Sequence, residues 1–148
     1  MGVPWTYGPK QMDIPNGEAS LVQLNMPYRG TMQSFFLQIM DETNANFAIY
    51  SSEKAARQAV DEANGSSMSD SADAIPAAAY RLLSGQISSG QPYEINQLNM
   101  AYVNADGSPT NGDPRLWLVI EPGGSGGSAS TGQLRAIISI SIDSVNLF

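Results

Sequence analysis

A strict alternation of apolar and polar residues near the C-terminus constrains the fold more than any other feature of this 148-residue sequence. In the segment LRAIISISI, every even position from Leu134 to Ile142 is apolar, and most positions between them are polar. Successive side chains of a strand point to opposite faces, so this period of two predicts a central strand with one buried face. Ile137 is the exception, an apolar residue on the polar face.

Several other segments also show strand patterns. SLVQLNM places Val22, Leu24 and Met26 on one face, which predicts a half-buried strand. TMQSFFLQIM is apolar on both faces, as in a strand that is covered on both sides or lies at an interface, and LWLVI is likewise apolar on both faces. PYEINQLNMAYV changes phase near Asn96 and Gln97, as a β-bulge there would require.

Two of the loops between these strands predict hairpins. The polar turn DETNAN joins TMQSFFLQIM to NFAIYSS. The segment PGGSGGSASTG is predicted to form the tip of a hairpin that joins Leu116–Ile120 to Leu134–Ile142. Its Gly and Ser residues offer little side-chain contact, and a long flexible tip is tolerable where it meets only water.

One segment has a helical period instead. SSEKAARQAVDEANG spaces its small apolar residues on one helix face, with Ser51 or Ser52 as N-cap and Gly65 just past the end, so a short helix is predicted over 53–63. About seven strands, turn signals between them and one helix indicate a mainly β protein. We expect a single antiparallel β-sandwich of jelly-roll or Greek-key type.

The N-terminal segment is predicted to be an extended arm over residues 1–17, and the sandwich domain to occupy residues 18–148. Closely spaced prolines and glycines forbid a helix there and disrupt strand pairing. Large apolar side chains on such an arm need a surface, either a partner's or this chain's own core. The predicted partner-binding residues are those of the arm and the apolar C-terminal tail: Trp5, Tyr7, Met12 and Phe148.

The sequence contains neither cysteine nor histidine. This excludes thiol catalysis, disulfides and Cys-type zinc sites, and it removes the commonest general base. The net charge of −7 has the wrong sign for neutralising phosphates, and no apolar run approaches the roughly 18 residues of a bilayer span. We therefore expect no catalytic, metal-binding or cofactor-binding residue, no cofactor, and neither nucleic acid nor a membrane as partner.

Three sets of residues suit a chemical role and also a common structural one. The loop NADGSPTNGDP holds Asp106, Asn111 and Asp113, which suits Ca²⁺, but Asp and Asn in loops more often form turns with their own backbone. The carboxylate pairs Asp41-Glu42 and Asp61-Glu62 are sequence neighbours that point in different directions, unlike a glycosidase pair. A set of aromatic residues could form a sugar-stacking platform or simply pack in the core: Trp5, Tyr7, Tyr28, Tyr80, Tyr93, Tyr102 and Trp117.

The arm MGVPWTYGPKQMDIPNG, strands such as EINQLNMAYVN and an acidic β domain without Cys or His together resemble the virion proteins of tailed bacteriophages. The resemblance is closest to the small cement or decoration proteins on the outside of the capsid. It implies a β-sandwich or jelly roll, commonly a homotrimer, that is made in the host cytoplasm and binds the major capsid protein where subunits meet. The expected function is therefore non-enzymatic capsid stabilisation. The alternative is a carbohydrate- or receptor-binding module of a viral fibre or spike.

Overall fold

The chain folds into nine strands, one α-helix and one 3₁₀ turn within the part that the computed structural model describes, residues 3–15, 18–26, 29–40, 44–65, 76–88, 91–103, 115–122 and 133–146. The elements are β1 (Val3–Pro15), β2 (Ser20–Asn25), β3 (Arg29–Ile39), β4 (Ala45–Tyr50), α1 (Glu53–Ala63), the 3₁₀ turn (Ala77–Tyr80), β5 (Arg81–Ile87), β6 (Tyr93–Ile95), β7 (Met100–Val103), β8 (Arg115–Pro122) and β9 (Gln133–Asn146).

The strands form two antiparallel sheets. Sheet A has the order β1-β9-β3-β6, with β7 also paired to β3, and sheet B has the order β2-β8-β4-β5. The chain passes from one sheet to the other at six of its eight strand-to-strand connections; only β4 to β5 and β6 to β7 stay within a sheet. If β6 and β7 are counted as one interrupted strand, this interleaving is the order of an eight-stranded jelly roll. The predicted β-sandwich is confirmed.

Both predictions of a hairpin are wrong, because each link joins strands of different sheets. The segment DETNAN joins β3 of sheet A to β4 of sheet B, and PGGSGGSASTG joins β8 of sheet B to β9 of sheet A. In a jelly roll, such links cross between the sheets, so the strands on either side of each link pack against each other across the core and do not pair. Residues 123–132 of the second link, like residues 41–43 of the first, lie outside the described residues.

The predicted interruption of the strand near Asn96 and Gln97 is present. β6 and β7 both pair with β3, and residues 96–99 between them leave the regular ladder. Asn99 has a positive φ of 49°, and the Leu98 amide donates a hydrogen bond to the Gln33 carbonyl at 2.9 Å. β3 also shifts its register against β9 between Met32 and Ser34. The inward-facing positions therefore change parity at the same level in β3 and in the interrupted strand formed by β6 and β7.

The N-terminal segment is a strand of the sandwich, which corrects the prediction of a separate arm. Residues 3–15 are extended, as expected, but they form β1, which pairs with β9 from Val3 opposite Val145 to Pro15 opposite Gln133. β1 lies at the edge of sheet A, and edge strands tolerate proline because a missing N–H on the outer side breaks no ladder bond. The boundary between 17 and 18 therefore separates two strands of one domain.

A β-bulge at Gly8 and Pro9 keeps both halves of β1 facing the core. The register against β9 shifts by one residue there, so the inward positions change from odd to even numbers. The inward side chains are Trp5, Tyr7, Met12 and Ile14. The same parity change is visible in the sequence WTYGPKQMDI.

The main core lies between the two sheets, and β9 crosses its centre. The predicted inward residues of this strand, Leu134, Ala136, Ile138, Ile140 and Ile142, are all buried, and Ile138 and Ile140 are fully buried. Since β9 pairs with β1 on one side and β3 on the other, its central position is as predicted. Ile137 is half-buried on the outer face.

A second, smaller apolar cluster lies under α1 on the outer face of sheet B. Trp117 and Val119 of β8 point away from the main core and are buried there with Ala55 and Ala56 of the helix. This explains why LWLVI is apolar on both faces. The helix spans 53–63 as predicted; the Ser52 hydroxyl accepts a hydrogen bond from the Ala55 amide, and Gly65 beyond the helix has a φ of +95°.

We expect Ile138→Ala to lower the free energy of unfolding by about 2–5 kcal/mol, because truncating a fully buried side chain leaves a cavity in the centre of the core. Ser139→Ala, the next residue on the outer face, is the matched control and should change stability by less than about 0.5 kcal/mol. Denaturant melts of both variants measure the difference. A loss below about 1 kcal/mol for Ile138→Ala would contradict the assigned faces of β9.

Gly8→Ala should destabilise the protein by more than Gly65→Ala does. Both glycines have a positive φ, +82° and +95°, which costs an L-residue about 1–2 kcal/mol. At Gly8 an added Cβ would in addition collide with the Ile138 carbonyl oxygen, whereas no atom of the described residues lies within 4 Å of a Cβ at Gly65. Equal losses in the two melts would show that the bulge can move away from β9.

Candidate functional site

Three of the four predicted partner-binding residues pack against this chain's own core. Tyr7 is 8 % exposed, and Trp5 and Met12 are half-buried against the main cluster. The Trp5 and Tyr7 rings lie 6.4 Å apart, centroid to centroid, and the Lys10 Nζ lies 5.8 Å from the Tyr7 centroid. Of the two surfaces weighed for the N-terminal segment, its own core is the one it contacts. Phe148 lies outside the described residues.

The other described rings of the predicted sugar-stacking set also pack against this chain. Phe35, Phe47 and Tyr93 form a cluster, with Phe35 stacked on Phe47 at 5.2 Å and Tyr93 edge-on to Phe47 at 4.7 Å. Burial raises the pKa of Tyr102. Trp117 is buried under α1, against which Tyr80 also packs, while Tyr28 lies outside the described residues. The described rings therefore offer no exposed platform for stacking a sugar.

The outer face of sheet A is a mostly uncharged surface, which we call the open face. Its side chains alternate with buried core residues along β1, β9, β3 and β6, and all of them are exposed or half-buried. The open face comprises Thr6, Gln11, Asp13, Ser34, Phe36, Gln38, Glu94, Arg135, Ile137, Ser139 and Ser141.

The register of the strands arranges these side chains in rows. Ser139 of β9 lies opposite Phe36 of β3, and Ile137 lies opposite Gln11 on one side and Gln38 on the other. In a third row, the Ser34 and Ser141 hydroxyls are hydrogen-bonded to each other. The centre of the open face thus combines two half-buried apolar side chains with small hydroxyls and amides.

The charged residues of the open face lie at its periphery. Asp13 and Arg135 stand opposite each other near the end of the β1–β9 ladder, and Glu94 lies on β6 at the sheet edge. Glu94 ends the row of Ser139 and Phe36, because it lies directly opposite Phe36, and the β9 and β3 members of the central rows are uncharged. The middle of the open face therefore offers no charge that would repel another acidic protein.

The two sheets differ in what covers them. α1 contacts β2, β4 and β8 of sheet B and shields their outer side, and within the described ranges no element packs over the open face of sheet A. The helix is tied to the sheet at its C-terminal end, where the Asn64 side chain accepts a hydrogen bond from the Ala19 amide at 2.8 Å and donates one to the Ala19 carbonyl at 3.0 Å.

Beside α1, a groove of about 380 Å³ opens on the part of sheet B that the helix leaves uncovered. Its polar lining residues lie on three adjacent strands and its apolar ones on the floor and the helix wall. They are Asn46, Phe47, Ala48, Tyr50, Ala59, Ala63, Arg81, Ser84, Gly85, Gln86, Val119 and Glu121. This groove leaves no signal in the sequence, because its polar residues occupy ordinary outward positions of strands.

No group of three or more Asp or Glu side chains within the described residues converges to hold a metal ion. The proposed calcium loop with Asp106, Asn111 and Asp113 lies outside them. None of the helices in the described part of the chain is both long and apolar enough to cross a membrane.

Comparisons with known proteins add little. No protein-family model matches the chain, and no curated protein matches it. Among solved structures, the chain is similar to one from Desmodium yellow mottle tymovirus, with 11% sequence identity and a TM-score of 0.29. That match covers 99% of this chain and 90% of the other. A TM-score of this size does not establish a common fold.

Asn64→Ala is expected to destabilise the protein by about 1–3 kcal/mol, because it removes two hydrogen bonds of about 0.5–1.5 kcal/mol each that hold the end of α1 to sheet B. Asn25→Ala is the control; Asn25 is exposed and, among the described residues, its side chain accepts a hydrogen bond only from the nearby Gln23 side chain. Denaturant melts compare the two. Equal stability of the two variants would mean that the link from Asn64 to Ala19 contributes nothing to holding the helix.

Proposed function

We propose that the protein is a non-enzymatic structural component of a virion, a cement or decoration protein that adds protein–protein contacts between capsid subunits. Its partner is the major capsid protein, and the open face of sheet A is the surface that binds it. The observation that carries the proposal is the contrast between the two sheets: within the described residues, α1 covers part of the outer face of sheet B, whereas no element covers the mostly uncharged open face of sheet A.

The composition of the open face suits protein contact. The cores of protein interfaces are depleted in charged residues, and at the centre of the open face Phe36, Ile137, Ser139 and Ser141 carry no charge. Serine hydroxyls can donate or accept hydrogen bonds, and ordering them costs little rotamer entropy. Phe36 and Ile137 add half-buried apolar surface that a partner could bury completely.

The fold is compatible with this function but does not assign it. Jelly rolls occur in viral capsid proteins and also in lectin and cupin domains. Fold alone does not determine function, so the proposal depends on the open face. The described members of the predicted sugar-stacking set pack against this chain's own core and helix, so they no longer support the alternative function of carbohydrate or receptor binding.

The proposal also includes what the sequence resemblance implied: self-association as a homotrimer, a position on the outer capsid surface and synthesis in the host cytoplasm. The net charge of −7 favours solubility before assembly. In a trimer, three open faces would act together and raise the effective affinity for a symmetric capsid site. Light scattering of the free protein measures this self-association.

Ser139→Lys and Ser139→Glu should each weaken binding to capsid shells at least tenfold. Either substitution places a long charged side chain at the centre of the open face. A loss of binding with both signs of charge reflects the size of the side chain and the cost of desolvating it, whereas a loss with only one sign reflects repulsion by a charge on the partner. A tenfold loss corresponds to about 1.4 kcal/mol. The measurement is the number of protein copies bound per capsid shell. The shells are produced from the source genome after deletion of the reading frame that encodes this protein, and each purified variant is then added to them.

Gln23→Lys and Gln23→Glu are the matched controls, because Gln23 is exposed on the outer side of sheet B. These variants should bind as the unchanged protein does. If the Ser139 variants bind normally while remaining folded in thermal melts, the open face is not the capsid surface. If the source genome encodes no capsid, the proposed function is wrong.

A further inference from the structure

The groove beside α1 has the features of a small-ligand site and is separate from the open face. It lies on sheet B, on the opposite side of the sandwich. Its volume of about 380 Å³ falls within the range of about 300–1,000 Å³ that ligand pockets occupy. A ligand in this groove would therefore not touch the surface proposed to contact the capsid.

A row of three polar side chains crosses the groove. In the strand register, Asn46 of β4 lies opposite Gln86 of β5 on one side and Glu121 of β8 on the other. Adjacent strands lie about 4.8 Å apart. Two amides and a carboxylate are thus arranged side by side, and Ser84 adds a hydroxyl in the next row, opposite Ala48.

The polar groups of the groove are available to a ligand. Within the described part of the chain, none of the five polar side chains of the groove takes part in a hydrogen bond or an ion pair with another residue. The five are Asn46, Arg81, Ser84, Gln86 and Glu121. They are exposed or half-buried, so water satisfies them until a ligand replaces it.

The floor and one wall of the groove are apolar and smooth. Ala48 and Val119 lie on the floor, and Ala59 and Ala63 of α1 form the wall. These small side chains leave room beside the helix that larger residues would fill. Apolar carbon atoms of a ligand could rest against them while its polar atoms face the row of amides.

The charges of the groove cancel. Arg81 provides one cation and Glu121 one anion, so the lining has no net attraction for a phosphate or for a strongly cationic ligand. Amides, a hydroxyl, a carboxylate and a guanidinium together offer both donors and acceptors. Sugar hydroxyls need both kinds of partner, and the C–H surfaces of a sugar ring suit a shallow apolar floor.

We propose that this groove binds a neutral carbohydrate, with Asn46, Gln86 and Glu121 hydrogen-bonding its hydroxyl groups and Ala48, Ala63 and Val119 contacting its C–H surface. The alternative function of carbohydrate binding thereby acquires a specific location, away from the aromatic residues that suggested it. The site leaves the open face free, so one molecule can bind a capsid and a sugar at the same time.

The test is an NMR titration of the full-length ¹⁵N-labelled protein with D-glucose, D-galactose, D-mannose and N-acetyl-D-glucosamine. At least one of these sugars should produce saturable shifts of amides in 46–48, 84–86 and 119–121, with a Kd of the order of 1–10 mM. D-Glucuronate serves as the charged comparison and should bind more weakly. Absence of saturable shifts with all four neutral sugars would overturn the proposal.

Variants locate the site. Glu121→Ala and Gln86→Ala should each weaken binding at least fivefold, and Ala63→Trp should block it by filling the groove. Gln38→Ala on the open face is the control and should bind sugar unchanged. Thermal melts check folding; if Ala63→Trp fails to fold, the Glu121 and Gln86 variants decide. Binding that these two leave intact, or shifts confined to the open face, would show that the groove is not the site.

Discussion

The pairing of β9 with both β1 and β3 is the interaction on which the rest of the structure depends. It places a strand with five buried inward side chains at the centre of sheet A, facing sheet B. In the described structure β9 is the only strand that pairs with β1, and it separates β1 from β3. Two of its outward residues, Ser139 and Ser141, are serines, so the same strand that builds the core also places small, uncharged side chains at the centre of the open face.

The two sheets differ in the side chains that they present on their outer faces, and both proposed functions follow from that difference. β8 presents Trp117 and Val119 outward, so sheet B needs the cover that α1 supplies. β9 presents Ser139 and Ser141 outward, which need no cover in water but can enter a protein interface at little cost. Because α1 is short and its face consists of small residues, it also leaves the groove beside it uncovered.

The sequence predicted those features that depend on which side of an element is buried. The alternation at Leu134–Ile142, the helix over 53–63 and the phase change near Asn96 all correspond to structural elements. Periodicity does not reveal which sheet a strand joins, so the links at DETNAN and PGGSGGSASTG were predicted as hairpins. The prolines of β1 suggested an unpaired arm, whereas an edge strand with a bulge accommodates them. The groove row of Asn46, Gln86 and Glu121 was missed because it forms only when three distant segments align in register.

A reconstruction by electron cryomicroscopy of capsid shells decorated with this protein tests the central claim most directly, because it shows which side of the sandwich faces the shell. The account predicts that sheet A lies against the capsid, with Phe36, Ile137 and Ser139 in the contact, and that α1 and its groove face the solvent. Density with α1 against the shell, or contacts made only by the edges of the sandwich, would contradict it. Shells without any bound density would contradict the proposed function itself.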